Sequence, residues 1–279
     1  ALSRKYQRRL LSGMRVAYSG VPGAFAGIAA ARMFPGAELV PFSDFESAYG
    51  ACASGDCDTA VLPFENSSAG EVAAVTDLMF SGPLYINKVE AIEAVQNLLG
   101  CDGASLDTVT QVVSHPQALS QCADYIRRHG FTSHEYPNTA SAAKMVAETG
   151  DVGMAAIGSA ECADIYGLKV IEARINEASV NTTRFAAFSR AQSFSKTRDS
   201  HFILMFTVKN EAGSLAKTLN IIGAHGYNMS CLRSRPMKGL MWNYYFYVEL
   251  DGNIDTREGR SMLTELGTLC DKLKVAGSF

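Results

Sequence analysis

Four short segments carry polar side chains of a kind that does chemistry. They are Glu65-Asn66-Ser67-Ser68-Ala69-Gly70, Ser114-His115-Pro116-Gln117, Thr139-Ala140-Ser141-Ala142-Ala143 and Asn181-Thr182-Thr183-Arg184-Phe185. Amides, hydroxyls, one imidazole and one guanidinium are suited to holding and polarising a small anion. Each segment also has a plain structural reading. Ser67, Ser68 and Thr139 can cap helices, Asn66 can close an Asx-turn, and His115 can sit at the surface before a proline. Their joint placement directly after apolar runs is what a site on a rigid scaffold looks like. No Ser or Cys stands beside an evident base and orienting partner, so no nucleophile is implied.

Those segments need elements to hold them. Residues 14–18 read as a strand, 24–34 as an Ala-rich helix, 38–42 as a strand, and Asp44 caps a helix to about 54. Residues 59–64 are a nearly continuous apolar run, the mark of a strand buried on both faces. After a gap the alternation resumes: strand 108–114, helix 116–129, strand 132–136, helix 139–150, strand 151–156, helix 159–166 and an extended 170–173. Strand and helix alternate at βαβ spacing, which predicts a mainly parallel sheet and two α/β lobes around a cleft. Residues 191–200 lack apolar periodicity and read as a linker. Beyond them come strand 201–209, helix 214–223, strands 228–235 and 242–251, helix 256–274 and a last short strand near 274–276. That order is a small ferredoxin-like βαββαβ sandwich.

Composition narrows the class. The 279 residues suggest about two domains. Hydrophobic residues are 47% and charged residues 19%, ordinary globular usage. A net charge of −3 is no footprint for nucleic acid or an anionic membrane, and no apolar run is long enough to span a bilayer. Arg4, Lys5, Arg8 and Arg9 make residues 1–13 a basic helix or linker, without the apolar core of a secretory signal. The seven cysteines are odd in number and form no C-x-x-C pair, so they read as free thiols of a cytoplasmic protein. His129 and His134 have a weak spacing for a metal, and no metal site or cofactor is expected.

The motifs together are specific. Gly20-Val21-Pro22-Gly23-Ala24-Phe25, Glu65-Asn66-Ser67, Ser114-His115-Pro116-Gln117, Ala155-Ala156-Ile157-Gly158, Tyr166-Gly167-Leu168 and Thr183-Arg184-Phe185 resemble, in order, the motifs of prephenate dehydratases that carry a C-terminal ACT domain. The resemblance covers residues 14–190 and 201–279. It implies a two-lobed, periplasmic-binding-protein-like catalytic domain, with lobe one near 14–94 and 175–190 and lobe two near 95–174. The linker 191–200 and an ACT regulatory domain at 201–279 follow. The implied reaction is the decarboxylating dehydration of prephenate to phenylpyruvate, in L-phenylalanine biosynthesis.

By the same resemblance Thr183 assists the leaving hydroxyl, as a hydrogen-bond donor that can relay a proton. Arg184 is the fork for a substrate carboxylate, or else an ion pair fixing the two lobes. Asn66, Ser67, Gln117 and Ser141 are expected to donate to substrate from the cleft wall. Phe185 packs under the ring or into the core. Glu65 would repel a dianion and is expected, with His115, behind the contacting residues. In the ACT segment, Gly213-Ser214-Leu215-Ala216 at a helix start, with Asn228 and Met229, is expected to bind L-phenylalanine as effector. A homodimer or homotetramer is implied.

The sequence departs from the family at three places. Asn97 stands where a His is usual, Gly-Val-Pro-Gly-Ala resembles the opening of plant arogenate dehydratases too, and Arg233 replaces Glu in a Glu-Ser-Arg-Pro-like motif. Arogenate has an amino group where prephenate has a keto group, so the choice between them stays open. Two readings from other classes remain: a non-catalytic amino-acid-binding module, and a phenylalanine sensor with a dead catalytic lobe. Residues 3–11 resemble the last helix of a helical chorismate mutase.

Overall fold

The computed structural model describes residues 13–176, 181–192, 200–237 and 242–279. The expected basic helix and mutase-like segment therefore lie outside the described residues, as does most of the expected linker. Contacts divide the chain into two units. One holds residues up to Val75 with Glu90–Ala186; the other holds Thr76–Val89 with Ala187–Phe279. The inclusion of Thr76–Val89 in the second unit differs from the expected division near residue 190.

The first unit contains β1 (Arg15–Ser19), α1 (Phe25–Met33), β2 (Glu38–Phe42), α2 (Phe45–Ser54), β3 (Thr59–Asn66) and β4 (Gly70–Glu71). Next come α3 (Ala73–Ser81) and β5 (Tyr85–Glu93), each of which is split by the unit boundary. Then follow β6 (Asn97–Gly100), β7 (Gln111–Ser114), α4 (Pro116–Gln121), α5 (Ala123–His129), β8 (Thr132–Glu135) and α6 (Thr139–Thr149). β9 (Met154–Gly158), α7 (Ala160–Tyr166), β10 (Lys169–Glu172) and β11 (Thr182–Ser189) complete it, β11 running on past the boundary.

Two sheets make the two lobes. In lobe one the neighbours run β11-β3-β1-β2, with β1 parallel to both β2 and β3. In lobe two the order is β10-β6-β9-β7-β8. There β7 is parallel to β8 and β9, while β6 is antiparallel to β9 and β10. The sheet of lobe two is thus mixed rather than mainly parallel, because β6 and β10 are crossover segments entering and leaving the lobe. The local chemistry is as the residue types require. Asp44 Oδ1 accepts from the Ser47 amide at 2.7 Å and starts α2. Val61 and Leu62 of β3 and Ala155–Ile157 of β9 are fully buried, as central strands of covered sheets must be.

Three sequence expectations change. The helix predicted over 116–129 is two helices, because Cys122 leaves helical geometry at φ −113° and ψ 17°. The unread stretch between 65 and 107 holds β4, α3, β5 and β6. The helix predicted over 256–274 stops at Leu266, and a nine-residue strand follows.

The second unit is β12 (His201–Val208), α8 (Ser214–Ala224), β13 (Asn228–Pro236), β14 (Tyr244–Asp251), α9 (Arg257–Leu266) and β15 (Cys270–Ser278). The βαββαβ order and the antiparallel neighbours β13-β14-β12-β15 are those of a ferredoxin-like sandwich. Phe202, Leu204, Phe206, Val248 and Leu250 pack against Ile222, Met262 and Leu266 of the two helices. At Gly277, β15 pairs in parallel with Ile86 of β5. A Cβ there would lie 2.2 Å from the Ile86 carbonyl oxygen, so the close approach requires glycine.

The end of α3 belongs to this unit and is held by it. Tyr245 donates its hydroxyl to Asp77 at 2.7 Å, and Arg235 donates to both. Phe80 stacks on Tyr245 with ring centroids 4.2 Å apart. Lys274 donates to the carbonyls of Met79 and Gly82, and Lys272 to that of Phe80. Ammonium groups on the last carbonyls of a helix complement its dipole. Burial, with Lys272 nearby, pushes the Lys274 ammonium down to about 8.

Candidate active site

The two lobes of the first unit enclose a cavity of about 380 Å³. It is lined from lobe one by Asn66, residues 69–72, Asn181, Thr183 and Phe185, and from lobe two by His115, Gln117, Gln121, Asn138 and Thr139. Its size suits a small ring-bearing acid.

Asn66 organises the lobe-one wall. It ends β3 and is 9% exposed. Its Nδ2 donates to Asn181 Oδ1 at 2.6 Å and to Thr183 Oγ1 at 2.9 Å. Its Oδ1 accepts from the amides of Ser68 and Ala69 at 2.9 and 2.8 Å. Both amide hydrogens and both carbonyl lone pairs are therefore used. Asn66 is the Asx-turn residue and the clamp on Thr183 at once. Because Thr183 Oγ1 accepts from Asn66, its own hydrogen points elsewhere. Among the described residues nothing accepts it.

Strand parity sorts the Thr-Arg-Phe segment. Alternate residues of β11 face opposite sides. Thr183 and the buried Phe185 face the cavity; Arg184 does not line it. Arg184 Nη1 instead donates to Glu65 Oε2 at 2.8 Å, and the guanidinium lies 4.8 Å from the Phe64 ring centroid. Both partners are in lobe one, so the ion pair joins β11 to β3 and does not bridge the lobes. Arg184, expected as a carboxylate fork or an ion pair, is placed off the cavity lining in an ion pair, and Glu65 lies behind the wall with it.

Two more expected contacts are placed differently. Ser67 is not on the cavity lining. Its hydroxyl accepts from the Thr182 amide at 3.0 Å and its own amide donates to the Thr182 carbonyl at 2.9 Å. It continues the β3–β11 pairing by a side chain. Ser141 is also absent from the lining; its amide donates to the capping Asn138 Oδ1 at 2.7 Å. Asn138 and Thr139 take its place on the wall.

From lobe two, Gln117 does line the cavity, and so does His115. His115 caps α4, its Nδ1 accepting from the Gln117 amide at 3.2 Å. That bond uses Nδ1 as the acceptor and leaves Nε2 as the ring nitrogen not spent on the cap. Asn97 is structural: it donates to the Gly158 carbonyl at 3.0 Å and accepts from the Arg174 amide.

The electrostatics are unusual for an anion site. Among the described lining residues Glu71 alone carries a formal charge, and no Lys or Arg is present. Positive potential comes from backbone. The start of α1 lines the cavity through Ala24, Phe25 and Ala26, and no side chain caps it. The Ala24 amide donates to the Val21 carbonyl at 3.0 Å, and a carboxylate can take the Phe25 and Ala26 amides, aided by the helix dipole.

Sequence reasoning did not single out Asn181, Gln96, Gln121, Asn138 or Glu71. Asn181 had a signal, since it opens a flagged segment. Gln96 and Gln121 are lone amides in apolar or helical context and had none.

In the second unit, Gly213 has a left-handed φ of 82° and precedes α8, which begins Ser214-Leu215-Ala216 with no side-chain cap. Asn228 and Met229 open β13, and Asn228 donates to Asp251 Oδ2 at 2.6 Å. Met229 and Leu215 pack against the core of that unit.

Known proteins agree with this architecture. Residues 16–193 match the family model described as prephenate dehydratase. The chloroplastic arogenate dehydratase/prephenate dehydratase 2 of Arabidopsis thaliana is 31% identical, over 96% of this chain and 73% of its own length. The structure of the prephenate dehydratase from Staphylococcus aureus is 27% identical, with a TM-score of 0.82, over 95% of this chain and 100% of that one. A structure described as GqqA, a novel type of quorum quenching acylase, is 28% identical with a TM-score of 0.87, over 95% and 97%.

Proposed function

The chain belongs to the prephenate dehydratase family and is a dehydratase, a carbon–oxygen lyase, and from that premise we propose how its residues act. The ring of prephenate, like that of its amino analogue arogenate, carries a hydroxyl and a carboxylate that must leave together. The carboxylate departs as carbon dioxide and leaves its electron pair to the ring. The hydroxyl departs opposite it and needs a proton to leave as water. Aromatisation drives both steps, so the protein has to orient the ring and help the oxygen.

Thr183 supplies that help. A threonine hydroxyl is too weak an acid to surrender a proton unaided at neutral pH. Asn66 takes one of its lone pairs and turns its hydrogen away from the amide, and a donor fixed where negative charge develops needs no reorganisation. The hydroxyl passes its proton to the leaving oxygen and regains one through solvent. The uncapped start of α1 and the amide of Gln117 hold carboxylates, and Phe185 backs the ring. The observation that carries this reading is the Asn66–Thr183 hydrogen bond inside the cavity.

The acylase activity named for one similar structure would need an activated nucleophile. Thr183 rests against an amide, which takes no proton, and this favours dehydration. Residues 201–279 are assigned as an ACT domain that binds L-phenylalanine near Gly213–Ala216, Asn228 and Met229 and lowers activity. The linker 191–200 joins it to the catalytic part, and the assembly is a homodimer or homotetramer of cytoplasmic location. Its βαββαβ order supports the ACT assignment.

Turnover of prephenate to phenylpyruvate, with L-phenylalanine titrated in, tests both parts. Thr183→Ala is expected to lower kcat by about 10²–10⁴, with Thr183→Ser keeping most of it and phenylalanine binding unchanged in both. Near-normal turnover by Thr183→Ala would remove Thr183 from the mechanism. Turnover indifferent to phenylalanine would leave the second unit as an assembly module.

A further inference from the structure

Gln96 has a leftover hydrogen-bonding atom in the cavity. Its backbone is pinned where the chain crosses between lobes: its amide donates to Asn176 Oδ1 at 3.1 Å and its carbonyl accepts from Ile175. Its side chain is 3% exposed and lines the cavity. Nε2 donates to Gln121 Oε1 at 3.5 Å, the long limit of a hydrogen bond. Oε1 is buried and has no partner among the described residues. A buried acceptor left alone is costly, and an apolar residue of the same shape would avoid the cost. An orphan of this kind inside a ligand cavity is explained by a ligand that donates to it.

The chemistry of the two family substrates identifies the donor. Prephenate and arogenate share the ring, the hydroxyl and both carboxylates. They differ in the side chain, where a keto oxygen accepts and an ammonium donates three times. The described lining offers no cation and one carboxylate, Glu71. A dianion is poorly matched to such a wall; the amino form, with one positive charge of its own, is better matched. We infer that Gln96, backed by Gln121, is the residue that reads this substituent, and that it selects the ammonium of arogenate over the keto group of prephenate. This rests on the dehydratase reading and adds the choice of substrate to it.

Kinetics on both substrates with purified full chain tests the inference. The wild type is expected to show a higher kcat/KM for arogenate. Gln96→Met, an apolar near-isostere, is expected to lower kcat/KM for arogenate by about tenfold or more, chiefly through KM, while changing prephenate less than about threefold. Gln96→Glu is expected to keep arogenate and depress prephenate further. Gln121→Leu, which removes the backing and not the reader, gives a weaker change of the same sign and keeps the test alive if a Gln96 variant does not fold.

Equal losses on both substrates would make Gln96 a general positioning residue and overturn the selectivity claim. So would no change on either, or a loss confined to prephenate, which would mean that the amide pair stands reversed and donates. A wild type inactive on both substrates would instead bring down the dehydratase reading itself.

Discussion

A hydroxyl's hydrogen is directed when a neighbouring donor occupies one of its lone pairs. Asn66 does this for Thr183, and the arrangement makes a sharp prediction. Asn66→Asp replaces the donating amide by a carboxylate oxygen, which would draw the Thr183 hydrogen to itself. We expect kcat to fall by about 10² or more with a smaller change in KM, and the double variant with Thr183→Ala to be no worse than Thr183→Ala alone, because the two act as one unit. Additive losses in steady-state kinetics would refute that coupling. On the other face of the strand, Arg184→Met should cost stability rather than catalysis. A double-mutant cycle with Glu65→Gln should return a coupling of about 1 kcal/mol in chemical denaturation, while KM moves only a few-fold. A hundredfold rise in KM would put Arg184 back on the substrate. Residue types in the Thr-Arg-Phe and Glu-Asn-Ser segments were legible as a site from sequence. Which of them face the cavity was not, because strand parity depends on where pairing starts, and the side-chain bond of Ser67 to Thr182 extends it by a step no pattern shows.

Elements are held by contacts that titrate or clash. His225 closes α8 and is gripped by Glu258 and Glu265 of α9, at 2.5 and 2.9 Å. Those hydrogen bonds, that to Glu265 foremost, raise its pKa above the ordinary histidine value. A raised folded pKa stabilises below the unfolded value of about 6.5 and ceases to do so as pH climbs through the folded one. Thermal melts should therefore show His225→Gln less stable than wild type near pH 6, with the gap closing by pH 9. A gap independent of pH would mean that packing, not charge, joins the helices. Gly277→Ala is expected to lower the melting temperature by forcing β15 off Ile86, and an unchanged melt would contradict the close approach. The mistaken helix over 256–274 has a definite cause. Leu263, Leu266, Leu269 and Leu273 repeat at helical spacing across the true end of α9. Leu273 and Val275 share a core with the rest of the sandwich only because β12 pairs alongside, a partner far away in sequence. Long-range pairing of that kind outweighs local period.

At the scale of the whole chain, the path between the units matters more than the linker. The chain passes from one unit to the other near residues 75, 89 and 186. A truncation ending at residue 192 removes Arg235, Tyr245, Lys272 and Lys274, and so strips Asp77 and the last carbonyls of α3 of their partners. Such a fragment is expected to be poorly soluble or to melt well below the full chain. A fragment as stable and as active as the intact protein would show that the catalytic part stands alone. Sequence alone drew the division near residue 190 because composition changes there, whereas the attachment of Thr76–Val89 is made by side chains supplied from the end of the chain. That attachment sets an order of events during synthesis. When α3 leaves the ribosome its terminal carbonyls are bare, and Phe80 has no ring to stack on. The ring arrives with Tyr245, but the carbonyls stay bare until Lys272 and Lys274 have been made, after almost every other part of the protein has had its chance to fold. The nascent chain must carry an unfinished helix end and an unpaired stretch of β5 through most of its translation, and a chaperone that binds short apolar segments would find its target there.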